Sequence, residues 1–97
     1  MDMTEKYIFI LSMICRHYSI EPVNFLNILK DKDNKYLFLL LLKKYKCIDE
    51  NKIKEDLKLK NKRSLTYNLK RAEERLLINS AFREKFFEIE EDLLKHK

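Results

Sequence analysis

Between Leu57 and Ala72 the sequence places Lys58, Lys60, Lys62, Arg63, Lys70 and Arg71 and not one Asp or Glu. Side chains of these types hold polyanions. Arg63 can donate its planar fork to guanine O6 and N7, while Lys62 and Lys70 can neutralise phosphates. Tyr67 and Asn68 can hydrogen-bond to base edges or backbone, and Thr66 lies beside them. Ser64 and the free amides of a first helical turn suit a phosphate. The plainer role for such lysines is to solvate an outward face.

Other chemistry is poorly served. The 97 residues contain no glycine and one proline, Pro22. Phosphate-cradling loops, dinucleotide fingerprints and nucleophile elbows need glycine where backbone turns tightly or approaches a ligand. No nucleophile and base stand paired, so an enzyme is not expected, nor a cofactor. A zinc site would require Cys15, Cys47, His17 and His96, whose spacing fits no ligand pattern. Two isolated cysteines fit buried thiols in a reduced cytoplasmic protein. The apolar runs are too short for a membrane span, and Tyr7 to Cys15 lacks the basic flank of a signal peptide.

The residues that could bind must be carried by helices. Composition is 45% hydrophobic and 38% charged, enough for one core, and the pattern indicates an all-α domain over residues 1–97, a compact bundle of about six helices. Asp2 and Glu5 form a capping box for a helix from about Met3 to Tyr18, with Tyr7, Ile8, Leu11, Ile14, Cys15 and Tyr18 inward. Ser19 and Pro22 open a short helix, Glu21 to Leu29, presenting Val23, Phe25, Leu26 and Leu29. Lys30 to Asn34 reads as a polar break. Lys35 to Lys46 is apolar on every side, as expected of a helix surrounded by others. Asp49 caps Glu50 to Leu57, with Ile53 and Leu57 inward, and Asn61 caps Lys62 to Leu77, with Leu65, Leu69, Ala72 and Leu76 as its stripe. Ser80 opens a last helix on Phe82, Phe86, Ile89 and Leu93, whose outer face carries Glu84, Glu88, Glu91 and Asp92.

That order makes residues of about 50–77 a helix-turn-helix, in which the second helix enters the major groove by its N-terminal end. At about 100° per residue, the inward stripe of the fifth helix sends Arg63, Tyr67, Lys70 and Glu74 outward, with Thr66 and Arg71 at the edges. The charge distribution agrees. The net charge is +5, with five cations and five anions up to Leu42, twelve against six from Lys43 to Arg75, and four against five beyond.

The stretch from Ile53 to Leu76, IKEDLKLKNKRSLTYNLKRAEERL, resembles the C-terminal DNA-binding domain of the bacterial replication initiator DnaA, a Trp-repressor-like helix-turn-helix. In that family Phe-Gly-Gly leads into Asp-His-Ser/Thr-Thr-Val and a basic helix. Leu57 falls at the Phe, Asn61 at the Asp, Lys62 at the His, Arg63 and Ser64 at the hydroxyl residues and Leu65 at the Val. Lys70, Arg71 and Glu73 fall on the Lys/Arg-Lys-x-Glu that follows. Upstream, His17, Tyr18, Ser19 and Ile20 resemble Tyr-Tyr-Gly-Ile, and the ending with Phe82, Arg83, Ile89 and Leu93 is family-like, so the likeness runs from about Tyr7 to Leu94. The departures are specific: Lys58 and Leu59 replace the glycine pair, only the hydroxyl at Ser64 is kept among base-reading residues, and the basic loop is about three residues shorter. That loop holds Lys30 and Lys32 alternating with Asp31 and Asp33 and no arginine.

The resemblance implies a non-enzymatic protein, a regulator of replication or transcription, that binds double-stranded DNA through Lys58, Lys60, Asn61, Lys62, Arg63, Ser64, Thr66, Tyr67, Lys70 and Arg71, with Lys30 and Lys32 on the backbone. No nucleotide-binding motor module accompanies it. The competing expectation is a protein-interaction module that kept the fold and lost base readout, meeting a basic partner or another copy of itself through the acidic last helix. Membrane-surface binding ranks below both, because the basic helix has no large apolar face.

Overall fold

In the computed structural model, which describes Asp2 to Lys95, the five long helices begin where a side chain takes up a free backbone amide, and only the short second helix does not. Asp2 accepts from the Glu5 amide at 2.8 Å and opens α1, Met3–His17. A 3₁₀ turn at Pro22–Asn24 runs into the single-turn α2, Phe25–Ile28. Asp31, Asp49 and Asn61 accept from Asn34, Lys52 and Ser64 amides and open α3 (Lys32–Lys44), α4 (Glu50–Leu57) and α5 (Lys62–Ile78). The last helix is α6, Ser80–Lys95. Among the described residues there are six α-helices and no strand, and the all-α bundle expected from the sequence is what forms.

Several boundaries differ from the expected ones for identifiable reasons. Helix α3 starts three residues early because Asp31 caps it, so Lys32, Asp33 and Asn34 belong to its first turn. Asn79, not Ser80, caps α6: its side chain accepts from the Phe82 amide at 2.8 Å. The second helix is shorter than expected. Val23 is 82% exposed and Leu26 half exposed, while Phe25 and Leu29 face the core. In α1 the inward face turns to Tyr7, Ile10, Met13 and Ile14, leaving Ile8 outside.

Helix α3 is the axis of the core. All seven residues from Tyr36 to Leu42 are buried, and the helix packs against α1, α5 and α6. Phe38 receives Tyr7 and Phe25 edge-on, at ring separations of 5.3 and 4.9 Å, a favoured aromatic geometry. Phe82, Phe86, Ile89 and Leu93 form the buried stripe of α6 as the spacing predicts. Polar ties join the ends: the Tyr7 hydroxyl donates to the Asp56 carboxylate, and the Tyr18 hydroxyl donates to Asn34, whose amide donates to the Ile28 carbonyl at 3.2 Å. Burial, then the Asp56 carboxylate, push the Tyr7 phenol far above its ordinary range.

Three of the helix ends are closed without glycine. After α1, α3 and α4 the chain passes through the left-handed region at Ser19, Lys46 and Lys58, with φ of 54°, 56° and 56°. Each is followed by a residue whose amide reaches five residues back, Ile20 to Cys15, Cys47 to Leu42 and Leu59 to Lys54, all at 2.9 Å. These are Schellman closures, and left-handed backbone normally favours glycine there. Among the described residues no helix is long and apolar enough to cross a membrane.

Candidate nucleic-acid interface

The connector between α4 and α5 is Lys58 to Asn61. Leu59 turns inward to pack on the core, and Lys58, Lys60 and Asn61 stay exposed. Asn61 is occupied in capping α5, its side-chain Oδ1 accepting from the Ser64 amide at 2.9 Å. Helix α5 packs against α3, α4 and α6 through Leu65, Asn68 and Ala72, with Leu69 and Leu76 half-buried. This fixes its outward face. Lys62, Arg63, Thr66, Tyr67, Lys70 and Arg71 are exposed, Tyr67 at 61%, and Ser64 is half-buried.

Asn68 is not available to a ligand in the way its residue type suggests. It is buried, and its amide donates to the Ser64 carbonyl one turn back at 2.8 Å. Such a bond satisfies a polar group that would otherwise be costly to bury. Asn68 thereby joins Leu65 and Ala72 on the buried face of α5, with Leu69 and Leu76 half-buried beside them.

The stretch that is acid-free in sequence is not acid-free in space. Glu50, at the start of α4, lies 3.6 Å from the Lys62 ammonium, and Glu74 lies 3.3 Å from Arg71. Lys58, Lys60, Arg63 and Lys70 have no acidic partner among the described residues. These four cations, with Tyr67 between Arg63 and Lys70, are the electrostatically open part of the surface. Acids brought in from other elements leave no signal in local composition.

Arg75 joins this surface to the start of α3. Its guanidinium grips both oxygens of Asp33, at 2.5 and 3.1 Å, and the bond raises the Arg75 pKa. Bidentate pairs of this kind constrain orientation as well as distance. The result is a crevice of about 110 Å³ lined by Lys32, Tyr36, Arg71, Glu74, Arg75 and Ile78. Lys32 is thus on the same crevice as Arg71, whereas Lys30 is exposed in the turn before α3 and does not line it. Burial, and then the Lys32 charge, lower the Lys35 pKa one turn further on.

Cys15 and Cys47 are buried free thiols, and burial pushes the pKa of each up. Among the described residues no group of three or more His, Cys, Asp or Glu is placed to hold a metal. His17 approaches Asp92 at 3.6 Å, and His96 lies outside the described residues. No protein-family model matches the chain, and no curated protein or solved structure matches it either.

Proposed function

We propose that this chain is a double-stranded DNA-binding protein that presents the N-terminal half of α5 to the major groove in helix-turn-helix fashion, as in the initiator domain its sequence resembles. The observation that carries the reading is the open cationic face: Arg63 and Lys70 flank Tyr67 on α5 while Lys58 and Lys60 precede it, all four without an acidic partner among the described residues. Arg63 is the base reader, and Lys58, Lys60, Lys70 and Lys32 are backbone contacts. Two further features support it. Of the positions where the family has glycine, Ser19 and Lys58 have left-handed backbone here and Leu59 does not, and Lys32 shares a crevice with Arg71.

If about five phosphates are neutralised, log K falls against log salt with a slope of about −4 to −5. Fluorescence anisotropy on duplex DNA at two salt concentrations reads this directly. Absence of binding, or binding indifferent to salt, overturns the proposal. Arg63→Ala should weaken the best site by about 1 to 3 kcal/mol if Arg63 reads a base.

A second reading is favoured by one observation. Leu40, Leu76, Phe86 and Phe87 line an open groove of about 420 Å³ between α3, α5 and α6, bordered by the ion pairs Lys43–Glu73 and Lys44–Glu90. A protein-interaction module would use such a surface. Selection of bound sites from random duplexes separates the two, since a consensus supports DNA readout and a flat result favours the interaction module.

A further inference from the structure

The outward ridges of α5 and α6 carry inverse charge patterns at identical spacing. On α5 the exposed positions at offsets of four, seven and eleven residues are Arg63, Tyr67, Lys70 and Glu74; on α6 they are Glu84, Glu88, Glu91 and Lys95. Seven residues are two turns, about 10 Å along either helix. Tyr67, 61% exposed, stands on the α5 ridge between Arg63 and Lys70, and Phe87, 53% exposed, borders the α6 ridge three residues after Glu84, where it also lines the groove beside Leu76. Arg63, Lys70 and Glu84 have no ion-pair partner among the described residues. Glu74 and Glu91 are engaged only with near neighbours on their own helix, Arg71 at 3.3 Å and Lys95 at 3.8 Å. Exposed pairs of that kind exchange readily.

We infer that the α6 ridge of one copy of this chain docks on the α5 ridge of a second copy. The two helices lie parallel, with Arg63 against Glu84, Lys70 against Glu91 and Glu74 against Lys95, and Phe87 and Tyr67 are covered between them. An antiparallel placement makes two different pairs, Arg63 with Glu91 and Lys70 with Glu84, and sets Glu74 opposite Ser80, so the third pair sets the direction. Because the ridges are different surfaces of one molecule, the contact is heterologous. Each added copy leaves one α5 ridge and one α6 ridge open, and association proceeds head to tail unless the rotation closes a ring. The attraction rests on exposed charges, so it is weak and salt-sensitive. The contact does not depend on the DNA reading.

The test is analytical ultracentrifugation of the full chain up to about 1 mM, with and without about 1 M salt, where the Debye length falls to about 3 Å. At low salt the weight-average mass should rise with concentration past that of a dimer, and added salt should return it to the monomer. Two variants isolate the ridges. One carries Arg63→Ala, Tyr67→Ala and Lys70→Ala; the other carries Glu84→Ala, Phe87→Ala and Glu91→Ala. All six side chains are exposed, and circular dichroism checks that both variants keep their helices. Each should be monomeric alone, and their mixture should give a 1:1 dimer that does not grow, because each variant has a single intact ridge and the one contact uses both. A wild-type chain that stays monomeric, a variant that still associates alone, or a mixture that does not associate overturns the proposal.

Discussion

Replacing Lys58 by glycine should make the protein more stable and a poorer binder at once. Lys58 closes α4 with φ 56° and ψ 42°, its side chain exposed and without an ionic partner among the described residues. Left-handed backbone costs a residue with a Cβ roughly 1 to 2 kcal/mol. Glycine removes that cost but adds freedom to the unfolded chain, which returns about 0.5 to 1 kcal/mol. The net gain is about 0.5 to 1 kcal/mol, a rise in Tm of about 2 to 8 °C for a chain of this size. The closing bonds, Lys58 amide to Glu55 carbonyl at 3.3 Å and Leu59 amide to Lys54 carbonyl at 2.9 Å, are backbone bonds and remain. On DNA, the lost phosphate contact should flatten the salt slope by about 0.9. Lys58→Ala is the control: it loses the same charge and keeps the left-handed cost, so it should match the glycine variant in salt slope without its gain in Tm. Thermal melts and anisotropy titrations on the three proteins decide the matter. A glycine variant no more stable than the alanine variant refutes the strain argument, and unchanged salt slopes in both refute a role for Lys58 in binding.

Ser19→Gly and Lys46→Gly should each raise Tm by a similar amount without touching the α5 face, which thermal melts of the single and double variants would measure. Glu50→Ala should release Lys62 from its 3.6 Å pair and steepen the salt dependence of DNA binding by about one unit, whereas an unchanged slope would mean that Lys62 does not reach a phosphate. Tyr7→Phe should cost about 1.5 to 3 kcal/mol in urea melts, since it strips the hydroxyl donor from the Asp56 carboxylate. The same tyrosine sets an alkaline limit. Its folded pKa is raised above the unfolded value of about 10, so its stabilising effect is complete below that pH and is lost as pH rises beyond it. The Tyr7→Phe variant should therefore lose less stability than wild type across that alkaline window. The part contributed by Cys15 and Cys47, whose raised pKa values act in the same direction, would persist in the variant.

What could be read from residues and what could not follows from where the information sits. Caps are local, so Asp2, Asp49 and Asn61 announced the starts of α1, α4 and α5. Helix α3 was legible because an all-apolar helix has no face to choose. Amphipathic helices are harder, since the inward direction depends on which neighbours they meet. Ile8 and Ile10 are equally apolar, and only packing puts the second inside. The type of Asn68 favours water, and a bond to the Ser64 carbonyl lets it be buried instead. At the candidate interface the exposed positions of Arg63, Tyr67 and Lys70 follow from helical period alone. The pairing of Lys62 with Glu50 and of Arg75 with Asp33 does not, because it joins residues 12 and 42 positions apart.

Asn79 is the single residue between α5 and α6 and serves both. Its amide bonds the Arg75 carbonyl at 2.9 Å, its side chain caps α6, and Arg83 reaches back to the Leu76 and Leu77 carbonyls at 3.1 and 3.0 Å. The joint has no slack. One inserted or deleted residue that kept both helices would turn all of α6 by about 100° and swing Phe82, Phe86, Ile89 and Leu93 off α1 and α3. Length change is therefore forbidden at this joint. The turns after α1 and α3, which are not welded into a following helix in this way, are where the chain can grow.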